Sequence, residues 1–435
     1  MKMSNFYKKT GLALLIASSL LLSACNDDNS SGTKTGQVEN PVKYATYISE
    51  AKYVDQQNKP RDTLENAVDI SVMRYTMPNV LGKNSEATAV VMYPKTVTPS
   101  DGWRVVVWEH GTLGVGDACA PSNTELGVRF KPLADELLAL GYVVIAVDYE
   151  GLGTPGIHPY LHLESEANSA IYAVKAFKEK YGARVKGEWM SVGQSQGGQA
   201  SLGTAEYAYN DPTYKGAVAG APASSLGHII TEVAPGALTN IEKSEILANI
   251  PLEKRASIQA YATLLGYGAL AGAGIKAYEP NFNYLAMFEP ESQETAKLAA
   301  GTNGEDGKCL AEIVSAYQDD ILNFMRADST RKVMDFPGIS TNELAKNPII
   351  QNFMNVLSQP GLNPVNKPIL IIQGTADTSV PFPVTEGLFN RLKAANPATS
   401  ITFLPVVGAT HTQAIVQKQP ELVKFIQEHM SSGLK

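Results

Sequence analysis

The stretch that decides the reading runs Glu188-Trp189-Met190-Ser191-Val192-Gly193-Gln194-Ser195-Gln196-Gly197-Gly198-Gln199-Ala200-Ser201. A short apolar run, Glu188–Val192, passes through a tight glycine-rich turn into a segment with helical spacing, Gln196–Tyr209. Gly193-Gln194-Ser195-Gln196-Gly197 is a G-x-S-x-G pentapeptide, and by itself it is a weak signal. Its setting is what counts. A strand, a sharp turn and a helix put a serine hydroxyl on an exposed elbow, in a strained backbone that tolerates only small neighbours. Gly193, Gly197 and Gly198 supply the small neighbours, and Ala200 and Ser201 keep the helix near the sheet. A glycine-rich turn with an incidental serine is the plain alternative.

Outward from the elbow, β-rich runs alternate with helical segments, the pattern of an α/β sheet. Strands are expected at Val68–Tyr75, Ala87–Tyr93, Arg104–Glu109, Tyr142–Asp148, Glu188–Gly193, Gly216–Gly220, Pro368–Gln373 and Ile401–Val407. Unbroken apolar runs such as Val143-Val144-Ile145-Ala146-Val147 read as central parallel strands covered on both faces. The first two alternate more and read as antiparallel edge strands. Helices are expected at Glu125–Leu140, Glu164–Tyr181, Gln196–Tyr209, Val384–Ala395 and Gln413–Met430. Between about Ala223 and Asn366 the strand pattern stops, and helix-like pieces occupy Glu242–Ala248, Leu252–Leu265 and Leu310–Arg326. That stretch reads as an insertion returning the chain to the same sheet. Its apolar, Gly/Ala-rich run Tyr261–Ile275 fits a helix packed in the insertion's own core better than a membrane-seeking one, being short for a span.

A serine hydroxyl needs a base within hydrogen-bond reach, and the base needs an acid to orient it. There are six histidines. In strand–elbow–helix hydrolases the order along the chain is Ser, acid, His, which sets aside His110, His158 and His162. His228 opens the insertion with no suitable acid before it, and His429 lies in the last helix, expected to face solvent. His411, in a short turn after the last strand, remains as the base. Asp377 follows the penultimate strand in Gly374-Thr375-Ala376-Asp377 and fits the acid; Glu386 and Asp335 are less well placed, and an Asx-turn role is the alternative for Asp377. Two backbone N–H groups should hold an oxyanion: Gln196, after the nucleophile, and Thr112, or Leu113 beside it, after the strand ending at Glu109. His110 then reads as a loop organiser and Asp148 as structural. His158 and His162 read as lining the entrance or as solvated. No metal site is expected: there is no H-E-x-x-H or C-x-x-C. No cofactor is required by this chemistry.

The N-terminus has Lys2, Lys8 and Lys9, then an apolar run from Gly11 to Leu22, then Leu22-Ser23-Ala24-Cys25. The apolar run is too short to span a bilayer and reads as a signal peptide. Its last four residues look like a bacterial lipobox, which implies cleavage after residue 24, lipidation of Cys25 and membrane attachment, with Asn26 favouring the outer membrane. A plain secretory signal is the alternative. Residues 25–40 are polar and Gly/Ser-rich and read as a flexible tether. An exported chain meets an oxidising compartment, and Cys119 and Cys309 have one possible pairing; two buried free thiols are the alternative. The 435 residues carry a net charge of −7, which gives no electrostatic reason to bind nucleic acid.

Several pieces together resemble the secretory lipase family of α/β-hydrolases: Glu109-His110-Gly111-Thr112, Asp117-Ala118-Cys119-Ala120-Pro121-Ser122, Val147-Asp148-Tyr149-Glu150-Gly151-Leu152-Gly153, the elbow, and Asp377 with His411. They span most of the chain after about residue 65. The resemblance implies a mostly parallel central sheet with helices on both faces and a core of residues 41–222 and 351–435. It implies a helical lid, 223–350, over an acyl-binding pocket. It gives Ser195, Asp377 and His411 the triad roles, with lipid or small-molecule esters as substrates. A disulfide from the loop after the first core strand to the lid is usual in such relatives, which suits Cys119 and Cys309. The lipobox and tether depart from the family and point to smaller esters than its fungal members take. A serine peptidase on the same scaffold, or a surface binding protein without turnover, are the competing readings.

Overall fold

The computed structural model describes residues 46–434. The expected signal peptide, Cys25 and the tether lie outside them. Among the described residues nine strands form one sheet: β1 (Tyr47–Lys52), β2 (Ala67–Pro78), β3 (Asn84–Pro94), β4 (Trp103–Glu109), β5 (Val143–Val147), β6 (Val185–Gln194), β7 (Tyr214–Gly220), β8 (Ile369–Gly374) and β9 (Ile401–Val406). Their order is β1-β2-β3-β5-β4-β6-β7-β8-β9. β1, β2 and β3 pair antiparallel, β3 meets β5 antiparallel, and every pair from β5 to β9 is parallel. The eight expected strands are all present. β1 escapes a sequence reading because Tyr-Ile-Ser-Glu-Ala-Lys has no apolar run and stays partly exposed along the sheet edge.

The main helices are α1 (Lys131–Ala139), α2 (Leu163–Tyr181), α3 (Gln196–Tyr207), α4 (Ala234–Leu247), α5 (Ala256–Ile275), α6 (Leu310–Ala327), α7 (Phe382–Ala395) and α8 (Gln419–His429). Strand side chains alternate between faces. Val105, Val107, Val143, Ile145 and Val147 therefore pack on one side with α2, α3 and α7. Val106, Val144 and Ala146 pack on the other with α1 and α8. Each buried side chain of this size contributes about 1.5–3 kcal/mol relative to exposure, so this doubly covered slab, not the edge hairpin, holds the site's scaffold.

In the insertion the expected Glu242–Ala248 belongs to the longer α4, and the expected Leu252–Leu265 to α5, which starts later and runs further. Two helices of the sheet layers also differ from expectation, and proline explains both. The helix expected from Glu125 begins only at Lys131, with Pro132 in its first turn. The helix expected over Gln413–Met430 breaks at Lys418 into Gln413–Gln417 and α8, with Pro420 in the first turn of α8. Proline lacks the N–H and clashes with the carbonyl four residues back, so it is at home only where a helix starts.

Between β7 and β8 no strand joins the sheet. α4, α5 and α6 pack around an apolar cluster of their own. The Tyr261–Ile275 run lies inside α5 and is mostly buried there, and no described helix is long and apolar enough to cross a membrane. Helical structure continues past residue 350: Phe353–Leu357 forms a further wide turn, with Phe353 and Met354 buried in the insertion's cluster. The return to the sheet thus comes later than residue 351, with β8 starting at Ile369. A disulfide joins Cys119, in the loop after β4, to Cys309 at the start of α6. The Leu310 N–H donates to Leu113 O at 2.7 Å and the Asp117 N–H to Glu305 O at 2.8 Å, reinforcing that junction.

Candidate active site

The parallel strands point their carboxyl ends toward one edge, and the loops leaving β4, β6, β8 and β9 meet there. Ser195 sits between β6 and α3 with φ 62° and ψ −118°, a backbone conformation that costs a non-glycine residue about 1–3 kcal/mol. The turn is too tight for side chains beside it. A Cβ on Gly193 would lie 2.0 Å from Gly197 O, and one on Gly197 would lie 1.8 Å from Glu109 O.

The Ser195 hydroxyl lies 2.8 Å from His411 Nε2, and His411 Nδ1 lies 2.8 Å from Asp377 Oδ2. A carboxylate beside Nδ1 fixes the tautomer: Nδ1–H donates to Asp377 and Nε2 is left to accept from Ser195. Asp377 is itself held on three further sides. Its Oδ1 accepts from the Ser379 and Val380 N–H groups, each at 2.9 Å, and its Oδ2 also accepts from Gln373 Nε2 at 2.9 Å. The His411 loop is fastened from the elbow, because Gln194 Nε2 donates to His411 O at 3.2 Å. Among the described residues, neither the Gln196 nor the Thr112 N–H donates to a protein acceptor. Both residues border the space beside Ser195, so two free donors flank the hydroxyl.

His110, Asp148, His158 and His162 are all buried. His110 Nδ1–H donates to Gly111 O at 2.7 Å, and burial pushes its pKa down to about 4, so the ring is neutral and organises the loop. Asp148 accepts from the Ser122 N–H at 3.0 Å and the Thr88 hydroxyl at 2.6 Å, away from His411. Burial pushes its pKa up to about 7. His158 and His162 are neither solvated nor at an entrance. Burial pushes their pKa values down to about 3 and about 4. His228 is exposed beside Glu232, 3.2 Å away, and Asp335 caps a turn in the insertion through the Lys332 N–H.

No protein-family model matches the sequence, and no curated protein is similar to it. Solved structures are. A Legionella pneumophila protein described as a hydrolase superposes with a TM-score of 0.63 at 17% identity, over 89% of this chain and 98% of that one. Candida antarctica lipase A gives 0.61 at 18%, over 90% and 83%. The rice cell wall degrading esterase LipA from Xanthomonas oryzae gives 0.55 at 16%, over 88% and 96%. The fold is that of the α/β-hydrolases. Identities this low speak to the fold alone.

Two cavities of this α/β-hydrolase fold meet at Ser195 and His411. One, a narrow cavity of about 80 Å³, runs under the insertion and is lined by apolar groups including Leu264, Ala271, Met287 and Phe353. The other opens on the α1 side, has a volume of about 450 Å³, and mixes Trp108, Phe130 and Ile415 with Glu125, Arg129 and Gln419. Sequence reasoning overlooks the polar residues that support the site. Gln373 is the one polar side chain in the buried strand β8, and that position is a signal. Glu166 is another: on α2 it shares the buried stripe of Ala170, Ala173, Val174 and Phe177.

Proposed function

We propose that the protein is a serine carboxylic-ester hydrolase working through an acyl-enzyme on Ser195. The observation that carries this reading is the unbroken chain from the Ser195 hydroxyl through His411 to Asp377, both contacts at 2.8 Å, at the junction of two cavities. Ser195 Oγ attacks the ester carbonyl while its proton passes to His411 Nε2. Asp377 stabilises the imidazolium that forms. The Gln196 and Thr112 N–H groups receive the developing oxyanion, each such donor being worth a few kcal/mol in the transition state. His411 then hands its proton to the departing alcohol oxygen as the C–O bond breaks. Water, deprotonated by His411, attacks the acyl-Ser195 carbonyl and releases the acid.

The apolar cavity under the insertion suits an acyl chain, and the insertion serves as its lid. That lining favours acyl esters over peptides, for which no group placed to hold a chain terminus stands out. We place the enzyme in the cell envelope, attached through a lipidated Cys25. The lipobox-like Leu22–Cys25 supports this, and so does the Cys119–Cys309 disulfide, which belongs to an oxidising compartment. The test is hydrolysis of p-nitrophenyl esters of rising chain length alongside aminoacyl anilides. Ester turnover rising by about four-fold in kcat/KM per added CH₂, until the cavity is full, follows from about 0.8 kcal/mol per buried methylene. Faster cleavage of the anilides would transfer the site to a peptidase.

A further inference from the structure

We propose that Glu166 is a positioning residue that holds both halves of the oxyanion site through a single carboxyl oxygen; this rests on the ester-hydrolase reading above. Glu166 lies in the first turns of α2, fully buried. Its Oε1 accepts from Gln196 Nε2 at 2.7 Å and from the Leu161 N–H at 2.9 Å. The first bond reaches the residue directly after the nucleophile, whose N–H is one oxyanion donor. The second reaches a cavity-wall residue held at φ 61°, a conformation a leucine keeps only when its surroundings enforce it. Next to Leu161, the Tyr160 hydroxyl shares a 2.8 Å hydrogen bond with Thr112 Oγ1. Thr112 carries the other donor. The two loops that must present their N–H groups to one oxygen are thus tied to one side chain.

The Gln196 amide leaves nothing to chance. Its second proton faces His158 Nε2 at 3.2 Å. His158 Nδ1–H donates to Glu150 O at 2.9 Å, so Nε2 holds a lone pair and accepts. The imidazole lies flat against the Tyr149 ring, 5.6 Å between centroids, and the Tyr149 hydroxyl donates to His110 O at 2.9 Å in the loop ahead of Thr112. Both amide protons are therefore met, and the rotamer is fixed from both sides. Among the described residues no Lys or Arg pairs with Glu166, and burial pushes its pKa up to about 8, so the group is a neutral acceptor near neutral pH. A buried carboxyl is costly even when neutral, and Oε2 has no hydrogen-bond partner among the described residues, so the group's hold on its surroundings runs through Oε1 to Gln196 and Leu161. A purely local role, steadying the start of α2 through Leu161, would leave the Gln196 bond without purpose.

The experiment uses the whole protein as native, Glu166→Gln and Glu166→Ala. It reads kcat and KM on a p-nitrophenyl ester, the inhibition constant of an alkylboronic acid, whose tetrahedral adduct needs the oxyanion site, and the melting temperature. Glu166→Ala is expected to lower kcat by about 10- to 100-fold, less than the about 10²–10³-fold of losing a donor outright. KM should stay within about two-fold, and the boronate should weaken in parallel with kcat. Glu166→Gln keeps an oxygen for both donors and should recover kcat to within about three-fold of native. A lowered melting temperature with kcat and boronate affinity unchanged would overturn the proposal. Should Glu166→Ala fail to fold, Gln196→Met removes the same contact from the other end while keeping the N–H, and the same loss in kcat is expected; native kcat there also overturns it. If native protein neither turns over esters nor reacts with a fluorophosphonate at Ser195, the ester-hydrolase reading fails by itself, which is a different outcome from a native enzyme indifferent to Glu166.

Discussion

Replacing Asp377 by Asn changes one atom, and its neighbours dictate which way the new amide must turn. Oδ1 is fixed as an acceptor by the Ser379 and Val380 N–H groups, each at 2.9 Å. The amide NH₂ therefore takes the place of Oδ2, where it meets His411 Nδ1 at 2.8 Å and Gln373 Nε2 at 2.9 Å, both donors in the native protein. Gln373 retains Val380 O at 2.9 Å as an acceptor, so its loss is partial. His411 escapes a donor–donor clash only by moving its proton to Nε2. In that tautomer it donates to Ser195 and can no longer take the serine proton. Removal of the base in this way is worth about 10⁴-fold in kcat, or about 5 kcal/mol of transition-state stabilisation at about 1.4 kcal/mol per decade. The loop keeps its two backbone anchors, so folding stability should fall by only about 1 kcal/mol, one hydrogen bond's worth. Steady-state hydrolysis of a p-nitrophenyl ester measures the first figure and denaturant unfolding the second. A variant with kcat within ten-fold of native would refute the assignment of Asp377 as the residue that sets the His411 tautomer.

The same structure makes two further predictions. Asp148 keeps its proton in the native state up to about pH 7 but loses it near 3.8 when unfolded, so its burial costs stability increasingly as pH rises through that window and levels off above it. Relative to native, Asp148→Asn should gain up to about 4 kcal/mol between pH 4 and pH 8 by urea titration, whereas equal pH slopes for the two proteins would contradict the assignment. The disulfide closes a loop of 190 residues, for which chain entropy gives a ceiling of about 5 kcal/mol. Cys119→Ser should lower the unfolding midpoint and also kcat, because the Leu113–Leu310 junction beside Thr112 loses its clamp; an unchanged midpoint would argue against a load on that bond.

What the sequence discloses here follows from how the fold stores its information. Ser195, Asp377 and His411 each stand just past a run of apolar strand residues, so local pattern locates them and chain order pairs them. Their convergence depends on three parallel strands ending at one edge, a regularity of such sheets. The support beneath them is different in kind. Glu166 reaches Gln196 on another element, and Gln373 reaches Asp377 and Val380 across the loop that follows it; only the packed structure says which buried polar group faces which. Each left one trace, a polar side chain on an apolar stripe, which signals a partner without naming it. The glycine- and proline-rich stretch around His158 and His162 looks solvated in sequence, yet the chain over 158–162 folds inward, with Tyr160 and Leu161 in the insertion's apolar cluster. Apolar spacing runs on through Pro132 and Pro420 where a helix interior cannot, so one helix starts later than its pattern and the other breaks in two.

The proposed mechanism requires that Ser195 be covalently acylated during turnover. Incubating the native chain with an alkyl fluorophosphonate, followed by peptide mass spectrometry and assay of a p-nitrophenyl ester, tests it directly. One adduct on Ser195, lost turnover in proportion to labelling, and no labelling or hydrolysis by Ser195→Ala are the results expected. Normal ester hydrolysis by Ser195→Ala, or full inactivation with the adduct on another residue, would contradict it.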